Sequence, residues 1–296
     1  MSTICTARLS STTDRSAINM AKRRFIAPAR SGLATANFAH PIFDGVSAFR
    51  DWLTLPEWPT LACLNAAMPR PDTRFVPQDQ ALLNEGLHYE TRIAEHGAIA
   101  TRAENWHDLF NAMIWCGYPA IKRALNARQM AQIATMGPSQ RNRAQYALTQ
   151  FDEAGVIVCV RDSNVLGADF TQLNLIDAWD RHDWTMLFDQ HASAWQRGDI
   201  RIAAVIGHAL LEHALVPELL LIGKSVVVQG DVDDAVCVAK VAQAIAEGSV
   251  LNDPQELRPL PLAGVPGWYP GQNAAFFIDT ECFQPARAGR VYPQPL

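Results

Sequence analysis

Two strings hold most of the residues that could do chemistry. The first runs Asn105-Trp106-His107-Asp108 and continues to Asn111. His107 and Asn111 are four apart, so one helical face would present both. A histidine there can ligate a metal or take a proton, and an amide can orient it. The second string is Gly207-His208-Ala209-Leu210-Leu211-Glu212-His213. His208 and Glu212 share the same spacing and could chelate one divalent metal. Arg201, seven residues earlier, would stand on their face and His213 on the opposite one. Titratable groups in so apolar a string are costly unless paired or used. Asp152-Glu153 adds acid just before a β-branched run. On extended backbone the two would point to opposite faces, so at most one faces a given pocket; Asp152 is carried as the site residue, with Glu153 as the other rim candidate.

Each group also has a structural explanation. Thr101 and Glu104 have the T-x-x-E spacing of a capping box. Asp108 suits the positive end of a helix. Glu212 could bond to Arg201 or His208 and only fix packing. Asp-Glu-x-Gly is also an ordinary acidic turn. His182, Asp183 and His191 read better as helix-start residues than as a site. No G-x-G-x-x-G, Walker A, G-x-S-x-G or H-E-x-x-H string occurs.

The elements that must position these groups follow from apolar spacing. A helix is expected over 78–95. The next, from the Thr101 cap, carries Trp106, Leu109, Phe110, Met113 and Ile114 as a stripe with His107 at its edge. Gly117 and Pro119 divide it from a helix reaching about 135, which Gly137-Pro138 ends. A short helix over 139–148 leads to a buried strand, Val156–Val160. Helices are expected over 169–178 and 182–197, then a nearly all-apolar one over 200–215 that would carry His208 and Glu212. Residues 224–229 read as a strand, followed by a helix capped by Asp231 and closed by Gly248. Residues 259–296 are rich in proline and aromatics, and are expected as an irregular arm packed on the body. The order predicts an α+β fold, helix-dominated, with a small β-sheet. Residues 20–296 are expected as a single domain, with 1–19 disordered or an upstream mis-start before Met20.

The chain has 296 residues, of which 49 % are apolar, enough for a large core. A net charge of −5 argues against phosphate-driven nucleic-acid binding. No apolar run reaches about 18 residues, so no membrane helix is expected. The six cysteines include no C-x-x-C pair. They read as reduced thiols in a cytoplasmic protein.

Several longer strings coincide. They are Y-E-T-R-I (89–93), T-R-A-E-N-W-H-D-L-F-N-A (101–112), L-T-Q-F-D-E-A-G (148–155), G-H-A-L-L-E (207–212) and P-L-A-G-V-P-G-W-Y-P-G-Q-N-A-A-F-F-I-D-T (261–280). In order and content the chain resembles the bacterial domain-of-unknown-function family three thousand and twenty-five over about residues 25–285. The resemblance implies a shared fold and brings no established activity. It places Asn105, His107, Asp108, Asn111, His208 and Glu212 on matched positions and leaves His213 as a departure.

One pocket is therefore expected between two helices. His107, Asp108 and Asn111 would face His208 and Glu212, with Asp152 at the rim. Hydrolysis would use His107 or His208 as base or metal ligand, Glu212 to orient or bind, and Asn111 to polarise an unidentified small-molecule or protein substrate. The rival is a scaffold protein in which the same groups form a buried network. The two histidines must lie within about 12 Å for a single site.

Overall fold

A computed structural model describes residues 25–137, 140–161 and 172–296. Residues 1–19 lie outside the described residues. At the centre is a four-stranded sheet of order β4-β3-β5-β6, made of β3 (Gly155–Val160), β4 (Ile200–Val205), β5 (Ile222–Gln229) and β6 (Arg258–Pro261). β3 pairs antiparallel with β4 and parallel with β5, and β5 pairs antiparallel with β6. Every residue of β3 is buried. This is why its sequence is continuously apolar rather than alternating. A separate parallel pair joins β1 (Arg74–Pro77) to β2 (Ala98–Thr101).

Six helices frame the site: α1 (Tyr89–His96), α2 (Trp106–Gly117), α3 (Pro119–Met136), α4 (Arg143–Ala154), α5 (His208–His213) and α6 (Asp234–Glu247). α3 opens on Pro119 as its spacing predicts. α4 begins with a reciprocal cap between Asn142 and Gln145 and runs directly into β3. α6 packs on β3, β4 and β5. The fold is α+β and helix-dominated. One buried apolar cluster extends from Phe38 to Phe283.

Several local expectations are corrected. The helix over 200–215 is a strand, β4, then a break at Ile206-Gly207, then the short α5. β-Branched Ile200 and Ile202 pair across β3, and tertiary pairing overrides helical spacing. Arg201 accordingly faces away from α5 and pairs with Asp234. The capping box is absent: Thr101 closes β2, Glu104 is left-handed (φ 52°), and Asn105 caps α2 by accepting from the Asp108 N–H. The helix over 78–95 is two short ones, divided at residues 85–88. Asp233, not Asp231, caps α6. The stretch 182–197 contains a π-helical turn at Met186–Gln190 before the helix Ala192–Arg197. The arm is not wholly irregular. It opens within β6 and holds a short helix, Ala274–Asp279. Its last residue, Leu296, bonds through its backbone to Val227 and Gln229 of β5.

Cys63, Cys116, Cys159 and Cys237 are free thiols, the last three of them buried. Among the described residues no helix is long and apolar enough to cross a membrane.

Candidate functional site

α2 is buried at every residue but His107 and Gly117. The helix is a core element, and His107 is the side chain it sends outward. α5 packs on α2 and against the end of α4. Gly207 permits that approach. A Cβ there would stand 2.6 and 2.8 Å from the carbonyl carbon and nitrogen of Ala154, and closer still to its Cα. Contact at this point sets His208 beside the last acidic residues of α4.

The two histidines meet directly. Nε2 of His107 is 3.1 Å from Nε2 of His208, with the rings edge to face. Behind His107, Nδ1 lies 3.0 Å from Oε2 of Glu212. Behind His208, Nδ1 lies 3.9 Å from Oδ2 of Asp152. The other oxygen of Asp152 accepts from Lys122 Nζ at 2.5 Å. Glu153 completes the convergence. One ligand atom each from His107, His208 and Glu153 lie within 4.8 Å of one another.

The electrostatics follow from burial and these partners. Burial works to lower the His107 pKa, but the Glu212 bond and the Glu153 charge outweigh it and the net shift is upward. Burial lowers His208 to about 3 against the opposing charge of Asp152, so this ring is neutral. Glu153 is raised by burial, with His107 opposing. Burial also pushes Asp152 up, but Lys122 prevails and the net shift is down. Since Glu212 fixes the proton on His107 Nδ1, both Nε2 atoms can turn lone pairs inward once His107 loses its second proton.

The expected residues divide into two groups. His107, His208, Glu212 and Asp152 come together in one cluster. Asp108 does not share it as a free carboxylate. Both its oxygens are engaged by Arg102, at 2.9 and 2.7 Å to the guanidinium and 2.6 Å to the backbone N–H. Asn111 donates to the Tyr89 hydroxyl at 3.1 Å rather than to His107. Asp152 and Glu153 both reach the cluster because they lie on helix α4. There, neighbours diverge by about 100° rather than 180°. Glu153 takes the third converging place expected of Glu212.

Lys122 and Tyr89 escaped the sequence reading. Lys122 had a signal. With Leu125, Asn126 and Gln129 it repeats the core-facing i, i+3, i+4, i+7 spacing of α3, and all four are buried. Tyr89 begins one of the strings that carried the family resemblance.

Fold and site together define a helix-dominated α+β protein with a His/carboxylate cluster where three helices meet. The chain belongs to the family of proteins of unknown function DUF3025, whose profile matches residues 73–287. All residues of the cluster fall within that span. No curated protein and no solved structure matches the chain.

Proposed function

We propose that His107, His208 and Glu153 bind one divalent metal ion of the zinc type, and that the protein is a metal-dependent hydrolase. The observation that carries this is the facing pair of Nε2 atoms, 3.1 Å apart, with Glu153 beside them. Two nitrogens on one tetrahedral zinc ion, each at about 2.0–2.1 Å, stand roughly 3.3 Å apart. Little movement is needed to admit the ion. Two imidazoles and one carboxylate leave a fourth position for water, the pattern of catalytic rather than structural zinc. Glu212 supplies the carboxylate behind a ligating histidine that such sites use for orientation. The half-buried carboxylates Asp152, Glu153 and Glu212 outnumber the nearby cations, so a dication is electrostatically welcome.

The free buried thiols support a reducing cytoplasmic setting. The acidic chain favours a small molecule or a protein segment as substrate over nucleic acid.

The test is metal analysis of the purified full chain, followed by cobalt titration. One equivalent of metal is expected, lost in H208A and in E153Q. The rival is a scaffold protein stabilised by a buried network. Absence of metal together with a collapse of Tm in H107Q/H208Q would establish that rival instead.

A further inference from the structure

The charges around the cluster limit what it can act on. Three carboxylates, Asp152, Glu153 and Glu212, stand there against Lys122. A bound dication brings that group to neutrality, with no positive excess. The neighbouring cations are already committed. Lys122 is held by Asp152 at 2.5 Å, and Arg102 is clamped by Asp108. A half-buried Glu90, bonded to Asn126, lies close enough to Lys122 and Asp152 to feel both. Sites for phosphoryl transfer instead present uncommitted arginine, lysine or additional metal to the developing charge.

A neutral donor is present where a cation is not. Tyr89 of α1 is 36 % exposed, yet its hydroxyl points inward and accepts from Nδ2 of Asn111 at 3.1 Å. Asn111 stands one turn beyond His107 on α2, about 6 Å along the axis. Because the amide fills a lone pair of the phenol oxygen, the phenol proton must point elsewhere. Among the described residues nothing accepts it. Burial raises the Tyr89 pKa far above neutrality, so the proton stays in place.

We infer that this centre hydrolyses a neutral carbonyl compound, an amide or ester, rather than a phosphate ester, and that Tyr89 donates a hydrogen bond to the oxyanion formed at that carbonyl. Asn111 is the positioning residue that aims it. Water adds its oxygen to the carbonyl carbon, and the carbon–nitrogen or carbon–oxygen bond breaks. The leaving amine or alcohol takes up a proton from that water, and the acyl part departs as a carboxylate. The inference rests on the metal reading above.

The test uses the full chain loaded with cobalt, whose visible absorption reports ligands entering the open position. Acetamide, a neutral and non-chelating carbonyl probe, and inorganic phosphate are titrated separately. Acetamide is expected to shift the band at a concentration at least about tenfold below phosphate. Y89F and N111D should each raise that concentration by about tenfold, the loss of one hydrogen bond, while the band before titration stays unchanged. N111D acts by turning the Tyr89 proton toward the new carboxylate, and it serves if Y89F does not fold. Preference for phosphate, or a Y89F titration like that of the wild type, overturns this inference while the metal reading stands. Failure of the wild type to bind cobalt overturns both.

Discussion

Glu212 Oε2 stands 3.0 Å from Nδ1 of His107, and His208 faces the opposite nitrogen of that ring at 3.1 Å. The carboxylate therefore selects which nitrogen is left for a metal. Replacing it with glutamine keeps an acceptor of the same shape but removes the charge that makes the imidazole a better ligand. E212Q is expected to weaken zinc binding about 10–100-fold with little change in Tm. Competition against a chromogenic chelator measures the first and a thermal melt the second. Unchanged affinity would assign Glu212 to packing alone.

Metal binding should be lost toward acid. The proton on His107 is held above its ordinary value and the Glu153 carboxyl is also raised, so both compete with the ion. His208 does not compete, because burial lowers it to about 3. As pH falls through the raised His107 value, affinity should drop about tenfold per pH unit for the one proton displaced, and more steeply once Glu153 protonates. The stabilisation that metal confers on the fold should disappear over the same range. Zinc affinities taken at intervals between pH 8 and 5.5 give the slope, and a flat profile would contradict the assignment.

The site was more legible in the sequence than the framework that builds it. His107 and His208 stood out because each interrupts an apolar string with a titratable group, and such groups need a partner wherever the helices go. Their mutual approach could not be read, since it depends on Gly207 meeting Ala154, a contact between distant segments. The 200–215 stretch reads as a helix although it opens as a strand, because Ile200–Val205 owes its extended form to pairing with β3, a non-local interaction that leaves no helical or strand period in so apolar a run. The place of Glu153 is hidden for a related reason. Helix α4 reaches Ala154 before the strand begins, so its acidic residues diverge less than extended backbone would require. Asn142 and Gln145, the true capping pair, lie inside the helix expected over 139–148 rather than at its start.

Lys122 is a buried cation whose partner is Asp152. Removing it strands a largely buried carboxylate. K122M is expected to cost about 3–5 kcal/mol near neutral pH, and K122M/D152N to recover much of that loss. The sign with pH follows. Burial favours the neutral acid, but Lys122 prevails and holds the native Asp152 pKa down, so the pair stabilises the fold above the unfolded value and this is lost as pH falls through the folded one. In K122M burial acts unopposed by the lysine, so the deficit should shrink as acid protonates Asp152. Denaturant unfolding at pH 7 and pH 4.5 tests this, and a deficit that grows toward acid would remove the pair from the account.

Gly207 offers the sharpest separation of site geometry from site chemistry, since it carries no functional atom. A methyl group there meets three backbone atoms of one residue, the Cα, carbonyl carbon and nitrogen of Ala154, and backbone cannot swing aside as a side chain can. Relief requires α5 to move away from α4, taking His208 from Asp152 and Glu153. G207A is therefore expected to destabilise by about 1–3 kcal/mol and to abolish zinc binding although every ligand remains. A matched control, A209G, lies two residues on in α5 and should cost a comparable amount through helix propensity while retaining the metal. Equal zinc affinities for the two variants would show that the contact between α4 and α5 does not place the ligands.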